Sequence, residues 1–444
     1  MTDILADTVP VRRPAAVTPG IHITEEATKR LKARYASERR FKMIGLAAIL
    51  FSLAALAILL FTIASNGFTA FQQTHIRLDL QLSAEQIAPV GTTDTRKIMQ
   101  GNYGAIILEA LQAKFPEVQS RSELRRLQSL VSAGSESQIG RMVVADPALI
   151  GQKITIWLPT SSDIDVFVKK QVDTTAPEDQ RRIKDNQVRW LDALKASGDL
   201  ELRFNTRFFT GADSREPELV GVWGGVVGSF YTLLVSLLVA FPLGIMAAIY
   251  LEEFASKNRW TEVIEVNINN LAAVPSIVYG LLGLAVFIGF FGMPRSAPLV
   301  GGLVLALMSL PVIIIAARAA LRAVPPSIRQ AAMGLGASPL QVVLHHVLPL
   351  AMPGILTGTI IAMAHALGET APLLMIGMVA IIVDIPTTPV DAATVQPVQI
   401  FMWADSSERG FVEKTSAAII VLLVFLLLMN LAAILLRKKF ERRW

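Results

Sequence analysis

A histidine and a carboxylate lie close together in a stretch of the chain that is otherwise apolar. His365 and Glu369 are four residues apart, and Thr370 follows directly. Residues at this spacing share one face of a helix, and a charged side chain at the centre of a membrane helix costs about 2.5–3.5 kcal/mol on insertion scales. Two interpretations follow. Either the two side chains form a buried pair that is neutral overall or that compensates a charge of a neighbouring subunit, or this helix face lines a polar translocation pathway.

Three arginines provide a second group of candidate residues. Arg318 and Arg322, also four residues apart, end an apolar segment, and Arg329 lies in the polar stretch that follows. Arginine heads at the end of a membrane helix commonly extend to the membrane surface. If Arg318 or Arg322 points inward instead, it would attract an anion that leaves the membrane on the inner side. Arg329 is expected to contact a partner protein.

Several other chemistries have no residues to support them. The chain contains no cysteine, which excludes disulfides, thiol catalysis and cysteine-based metal sites, and its five histidines show no metal-ligand spacing. It has no Gly-x-x-x-x-Gly-Lys-Ser/Thr loop, and Gly334-Leu-Gly336 lacks the lysine that would contact a nucleotide phosphate. We therefore expect no catalytic residue, no metal and no cofactor in this chain, and we do not predict an enzyme.

The composition predicts an integral membrane protein with a soluble insert. Of the 444 residues, 52% are hydrophobic and 17% are charged, and the mean hydropathy is +0.50, which is too apolar for an ordinary soluble domain. The formal charge of +5 is concentrated beside the apolar segments, which indicates membrane orientation and not nucleic-acid binding. The predicted fold is an all-α polytopic membrane protein with six transmembrane helices, at residues 43–65, 222–250, 263–292, 298–319, 350–383 and 416–436.

The basic residues predict the orientation of the chain in the membrane. Residues 1–42 are polar and end in a basic run, and residues 438–444 are also basic, so both termini are expected in the cytoplasm. The segment 43–65 is long enough to span a bilayer. We favour an uncleaved anchor over a signal peptide because no small-x-small cleavage site follows it. The start of the tail is expected to be poorly ordered because it contains three prolines, Pro10, Pro14 and Pro19.

Residues 66–219 differ in character from the rest of the chain. They combine mixed charge with short alternating runs at 153–157 and 200–204, which predict strands, and with a helical pattern at 106–130. We therefore predict a small α+β insert between the first and second membrane helices. Because the basic tail stays inside, the insert is expected on the extracytoplasmic, periplasmic side. Its role is left open, and its core is expected to contain Tyr103, Trp157 and Phe167.

The predicted membrane domain, residues 220–437, contains an inner loop with an unusual pattern. The loop, residues 320–349, predicts two short helices, because proline and serine residues suit both helix starts and Gly336 permits a sharp bend between them. The second of these helices is expected to end at about Leu348. On the outer side, the connection 384–415 is expected to hold a short amphipathic helix.

This inner loop resembles the ATPase-docking motif of ABC importer permeases. In that motif Glu-Ala-Ala is followed after three residues by Gly and, after nine more, by Ile-x-Leu-Pro. The matching positions of this chain are Gln330, Ala331, Ala332, Gly336, His346, Leu348 and Pro349. Gln330 replaces the acid of the motif, and His346 replaces the isoleucine. The resemblance implies that the loop, including Arg329, docks on a separate ATPase.

Two apolar segments resemble a narrower family, the PstA-type permeases of phosphate-specific ABC importers. They are Ala364-His-Ala-Leu-Gly-Glu-Thr-Ala-Pro-Leu-Leu374 and Val274-Pro-Ser-Ile-Val-Tyr-Gly280, and the similarity extends over about 221–440. The family often carries Arg where this chain has His365, so the charge at that position is left open. Two prolines of these segments are expected to break their helices, namely Pro275 and Pro372.

The resemblance to a phosphate importer limits what Glu369 can do. Phosphate is an anion near neutral pH, so an ionised carboxylate would repel it and cannot bind it directly. We therefore expect Glu369 to hold a cationic partner, an arginine or histidine of this chain or of a companion permease, which in turn meets the substrate.

The resemblance also implies an assembly in a bacterial inner membrane. This chain would pair with a second, PstC-type permease, a dimer of PstB-type ATPase subunits that bind ATP and magnesium, and a PstS-type periplasmic phosphate-binding protein. One alternative is an importer of another oxyanion, sulfate or molybdate, which the Gly368-Glu-Thr-Ala-Pro372 run disfavours. A second alternative is a membrane phosphate sensor, which would need a cytoplasmic output module. An integral-membrane enzyme is disfavoured because the inner loops combine no nucleophile, base and orienting group.

Overall fold

The computed structural model describes residues 25–169 and 177–440. The chain divides into two units, residues 1–62 and 63–444. Helix α1 (Glu25–Gly67) is one continuous helix of 43 residues, because its Ala-, Leu-, Lys- and Arg-rich sequence favours helix throughout. The basic run expected in a separate tail is therefore helical and continuous with the apolar segment. The three prolines of the tail lie outside the described residues.

The insert is built on a three-stranded antiparallel sheet in the order β2-β1-β3. Its core forms where short helices pack on one face of this sheet. In chain order its elements are β1 (Gln72–Gln81), α2 (Thr95–Met99), α3 (Tyr103–Lys114), α4 (Arg121–Gln128), α5 (Ser135–Ala145), β2 (Lys153–Pro159), α6 (Ser162–Val168), α7 (Asp185–Ala196), β3 (Leu200–Phe204) and α8 (Thr206–Thr210). A small sheet with helices is thus present, and strands occur at both positions where alternating runs predicted them.

The details of the insert differ from the prediction in three places. The central strand β1 was missed, although its alternating Ile76, Leu78 and Leu80 are fully buried and carry the period-2 signal of a strand. The predicted helix 106–130 is two helices, α3 and α4, because a proline at 116 disfavours helical backbone at the residue before it. Trp157 lies outside the core, with the Arg203 guanidinium 4.2 Å from its ring centroid.

A buried carboxylate, Glu218, lies where the insert joins the membrane domain. Its side chain is 3% exposed, and burial raises its pKa to about 6, against a weaker opposing effect of a hydrogen bond from Ser132. An acid with a raised pKa in the folded state destabilises that state above this pKa, and the penalty disappears as the pH falls towards its ordinary pKa.

We therefore predict that Glu218→Gln stabilises the protein at pH 7.5 by about 2 kcal/mol and has little effect at pH 4. The stabilisation by the substitution is expected to increase from pH 4 to pH 7.5 because the wild-type carboxylate ionises in that range. The thermal unfolding midpoint of the full-length protein in detergent, compared at the two pH values, measures it. An equal shift at both values would contradict the role assigned to this ionisation.

The membrane domain consists of long apolar helices connected by short ones. Its elements are α9 (Trp223–Ile249), α10 (Arg259–Ala272), α11 (Ser276–Leu282), α12 (Pro298–Arg322), α13 (Pro326–Gly334), α14 (Pro339–Gln341), α15 (Leu348–Gly368), α16 (Ala371–Met375), α17 (Gln396–Ala404) and α18 (Gly410–Phe440). Among the described residues, five helices are long and apolar enough to cross a membrane, or six if α10 and α11 form one bent span. The predicted short helix of the outer connection corresponds to α17.

The third predicted membrane helix is sharply bent. The helices α10 and α11 meet at 104° across a break at residues 273–275, and α11 continues as a π-helical stretch to Phe290. Pro275 precedes α11 directly and has no backbone N–H for a continuing helix. Glu265 on α10 pairs with Arg318 near the end of α12, whereas Gly283 after α11 abuts Val304 in the first half of α12. The bent pair therefore follows α12 along its length.

The fifth predicted membrane helix is shifted towards the inner loop. A helical run of 30 residues extends from Pro339 to Gly368, so the second loop helix does not end at Leu348 but continues through a π-helical turn into α15. After Gly368 the chain forms the short α16 and then irregular structure up to α17, instead of a helix to residue 383. A sequence pattern cannot separate these helices because the apolar residues continue across both ends.

Helices α9 and α12 form the most extensive helix contact of the domain. Gly302 abuts Val235, and Gly244 abuts Ile313, so glycine allows the two backbones to approach closely. Because the residue numbers of the contacting pairs increase in the same direction along both helices, α9 and α12 run parallel.

Candidate functional site: the inner loop and the polar turn of α15

The inner loop forms a bent pair of helices, residues 326–347, which we call the coupling hairpin. Gly336 lies at its bend with φ of +87°, a left-handed conformation that glycine adopts without strain. The next helix starts with a capping box: the Gln341 N–H donates to Ser338 Oγ at 3.4 Å, and the Ser338 N–H donates to Gln341 Oε1 at 2.9 Å. The sequence thus determines the bend and both of its helix ends.

The bend exposes apolar side chains that the motif comparison did not include. We call Met333, Leu335 and Leu340 the apolar tip; their exposed fractions are 51%, 91% and 56%. Exposed apolar groups clustered on a polar loop indicate a surface that another protein covers. The sequence signal was available, since three apolar residues lie around Gly334 and Gly336.

The predicted docking residues divide into two groups. Gln330, Ala331 and Gly336 are exposed, as docking requires. Ala332 is only 6% exposed and packs into the apolar cluster under the hairpin. Leu348 and Pro349 are half-buried at the base of α15. The second group therefore shapes the hairpin from within.

Arg329 points into the protein, away from the surface at which a partner was expected. Its guanidinium is 2.6 Å from Glu253 Oε1, and it donates to the backbone carbonyls of Leu321 and Val324 at 2.9 and 2.7 Å. Leu321 lies in the last turn of α12 and Val324 lies just beyond it, where helical carbonyls lack partners and a cation is favourable. Arg329 thus connects α13 with the ends of α9 and α12.

Arg318 and Arg322 are also paired with carboxylates of this chain. Arg322 Nε donates to Glu252 Oε1 at 2.8 Å, while Arg318 contacts Glu252 at 3.5 Å and Glu265 at 2.6 Å. Their charge is therefore compensated, which does not favour either residue as the pathway cation. With Arg329 they belong to one group, the inner ion-pair cluster, which consists of Glu252, Glu253, Glu265, Arg318, Arg322 and Arg329.

The predicted polar face of α15 lies at the end of that helix. His365 Nε2 is 3.0 Å from Glu369 Oε1, and their side chains are 70% and 17% exposed. Glu369 has extended backbone and ends α15, so its carboxylate lies near the negative end of the helix dipole, which disfavours a negative charge. A cation beside it offsets this cost. Thr370 follows at the start of α16.

The two segments that resemble PstA-type permeases pack against each other. A Cβ on Gly280 would lie 2.7 Å from Pro372 Cα, so this glycine allows α11 to lie directly on α16. Tyr279, which is 6% exposed, donates its hydroxyl to the Leu271 carbonyl at 2.7 Å. This donor satisfies a carbonyl near the break between α10 and α11. Pro372 lies within α16, where its missing N–H leaves the chain turned after Glu369.

A cavity of about 780 Å³ lies between α9, α15 and α18. It is lined mainly by leucine, phenylalanine and methionine side chains, with Thr359 and Asn430 as its polar residues. An apolar lining offers an anion no compensation for its lost hydration, so this cavity is unsuitable as an anion pathway.

Within residues 25–169 and 177–440, no group of three His, Asp or Glu side chains could hold a metal ion.

Two family models match the chain. A domain of unknown function (DUF3333) matches residues 28–178, which include most of α1 and of the insert. The model described as "Binding-protein-dependent transport system inner membrane component" matches residues 240–444. The second match covers the coupling hairpin and the polar turn of α15. Residues 240–444 are therefore similar to the inner-membrane permease component of a binding-protein-dependent transport system, and the long apolar helices indicate a multi-pass membrane protein.

Within this class, several relatives carry the name PstA. "Phosphate transport system permease protein PstA 1" of Mycobacterium tuberculosis (strain CDC 1551 / Oshkosh) is 37% identical over 156 residues, which are 35% of this chain and 51% of that protein. "Probable ABC transporter permease protein YqgH" of Bacillus subtilis (strain 168) is 29% identical over 286 residues, which are 62% of this chain and 83% of that protein. The chain spans about half the length of the first curated relatives it matches. The predicted resemblance to PstA-type permeases is confirmed.

A solved structure entitled "Inward facing conformations of the MetNI methionine ABC transporter" also aligns with this chain. The alignment covers 50% of this chain and 95% of that chain at 17% identity, with a TM-score of 0.40. A likeness of this size is too small to define function or substrate.

Proposed function

We propose that this chain is one permease subunit of an ATP-driven importer of inorganic phosphate. The observation that carries the proposal is the coupling hairpin, with a 91% exposed Leu335 at the bend of a loop that resembles the docking motif. An exposed apolar tip on the inner loop suits a subunit that receives a mechanical stroke from another protein. The PstA-named relatives support phosphate as the substrate.

The proposed topology has six spans, with the bent pair α10 and α11 counted as one. The basic start of α1 favours an inner position for the first terminus, and six crossings would return the second terminus to the same side. The insert, residues 66–219, then lies outside between the first and second spans, and the coupling hairpin lies inside. The basic Arg437, Lys438 and Lys439 at the end of α18 fit this assignment, and the predicted basic residues Arg442 and Arg443 lie outside the described residues.

In the proposed assembly, nucleotide chemistry takes place in other subunits. Two PstB-type ATPase subunits bind ATP and magnesium, a PstC-type permease supplies the other half of the pathway, and a PstS-type protein delivers phosphate from the periplasm. Closure of the ATPase dimer moves the coupling hairpin, and the helices rock around a path near the bilayer midplane. Selection of phosphate occurs mainly in the external binding protein.

The proposed pathway includes the polar turn at the end of α15. Glu369 repels an anion directly, so it acts by holding His365, or a cation of the companion permease, towards the path. The 70% exposed His365 side chain faces away from the body of this subunit and is available to a neighbour or to substrate. Thr370 adds a hydroxyl beside this pair.

The experiment that tests this function is ATP hydrolysis by the purified complex in lipid nanodiscs with its binding protein. We expect phosphate to stimulate hydrolysis at least about fivefold, a modest allosteric coupling, and sulfate or molybdate to leave it unchanged. Stimulation by sulfate or molybdate instead would identify another oxyanion importer. A complex that hydrolyses no ATP with any of the three would contradict the importer assignment.

A further inference from the structure

The inner ion-pair cluster joins the coupling hairpin to three membrane helices. Glu252 and Glu253 are consecutive residues in the π-helical turn that ends α9, yet they bind different elements. Glu253 binds Arg329 of α13, and Glu252 binds Arg318 and Arg322 of α12. Arg318 then reaches Glu265 of α10. One short turn is thus paired directly with α12 and α13, and through Arg318 it is connected to α10.

The contact between Glu253 and Arg329 is a largely enclosed, two-point contact within this cluster. Their side chains are 10% and 20% exposed, and both Nε and Nη2 of the guanidinium point at the same carboxylate, at 3.1 and 2.6 Å. A two-point contact fixes orientation as well as distance, whereas the apolar contacts around it are non-directional. By comparison, Arg322 is 59% exposed and is held less rigidly.

We propose that the pair of Glu253 and Arg329 is the transmission contact of this permease, which makes the inner end of α9 move together with the coupling hairpin. The remaining cluster carries the displacement to α10 and α12. This inference rests on the proposed function, since it needs a motor protein that displaces the hairpin. Both residues are positioning residues, because neither contacts the substrate.

The variant Glu253→Gln isolates this contact. It keeps the size of the side chain and leaves the bonds from Arg329 to the α12 carbonyls in place, but it removes the charge that holds α9. In proteoliposomes that contain the complex and its binding protein, we expect Glu253→Gln to lower phosphate transported per ATP hydrolysed about tenfold, within the range of coupling energies between sites. Hydrolysis itself should continue. The control is Lys257→Gln, which removes an exposed charge from the same inner connection and should leave the ratio unchanged.

A covalent bridge supplies the second test, which a purely structural role would not satisfy. Because the chain contains no cysteine, Glu253→Cys with Arg329→Cys introduces two unique thiols. We expect this double variant to be uncoupled when reduced and to regain most of its transport per ATP when a short thiol-specific linker bridges the two positions.

An unchanged transport ratio in Glu253→Gln, or a bridged double variant that stays uncoupled, would overturn the inference. Failure of the proposed function has a different signature: the wild-type complex itself would hydrolyse ATP without taking up phosphate. A coupled wild type beside an equally coupled Glu253→Gln contradicts the transmission contact alone.

Discussion

Replacing Leu335 by Asp is expected to abolish binding of the ATPase to this permease. Leu335 is 91% exposed, so folding of the subunit gains little from its side chain and should tolerate the change. In a docked complex the same side chain would be covered, and burying a leucine contributes about 2 kcal/mol. A carboxylate at this place would also lose its hydration without a partner, which adds several kcal/mol.

The expected result is a loss of at least about a hundredfold in affinity for the ATPase, measured by co-purification at known concentrations, with a matching loss of phosphate uptake. Val90→Asp is the matched control, because Val90 is 70% exposed but lies in the insert. It should purify with the ATPase as the wild type does. Retention of the ATPase by Leu335→Asp would show that the apolar tip is not the docking surface.

Replacing Glu369 by Gln is expected to stop phosphate uptake while the complex still assembles. The side chain is 17% exposed and lies 3.0 Å from His365, so the amide can occupy the same space but cannot hold a cation by charge. Because His365 is 70% exposed, loss of the pair should cost folding only about 0–1 kcal/mol. The expected effect is on transport, a drop of at least about a hundredfold in rate, which corresponds to about 2.7 kcal/mol in the rate-limiting state.

A matched control exists at the partner position. His365→Arg places a permanent cation opposite Glu369 and introduces the residue common in PstA-type permeases, so we expect it to retain uptake. His365→Ala should lose uptake as Glu369→Gln does. Radiolabelled phosphate uptake in proteoliposomes measures both, and size-exclusion chromatography of each complex reports assembly. Normal uptake by Glu369→Gln would end the assignment of this carboxylate to the pathway.

The coupling hairpin was largely predictable because its signals are local. Proline and serine at the helix starts and glycine at the bend act within a few residues of where they stand. The direction in which each side chain points was harder to predict. Ala332 and Arg329 both lie inside the hairpin, where packing on α12 and the carboxylate of Glu253 decide their orientation. Arg329 and Glu253 are 76 residues apart in the chain, beyond the reach of any local pattern.

The membrane helices show a similar division between local and non-local information. Hydropathy located the apolar segments, because bilayer thickness sets the length of a span. It did not reveal the 104° bend between α10 and α11 or the end of α15 at Gly368, since apolar residues continue through both. Arg318 and Arg322 were chosen as candidate site residues because their spacing puts them on one face of a helix. Their partners, Glu252 and Glu265, lie on other elements and gave no spacing signal.

The most direct measurement is cross-linking from the bend of the coupling hairpin in the assembled, ATP-hydrolysing complex. Leu335→Cys introduces a thiol into a chain that has no cysteine, and a thiol-linked photoreactive group at this position can be compared with the same group at Val90→Cys. We predict that position 335 forms a covalent adduct with the ATPase subunit and that position 90 does not. An active complex in which position 335 yields no ATPase adduct would contradict the central claim that the stroke enters through this hairpin.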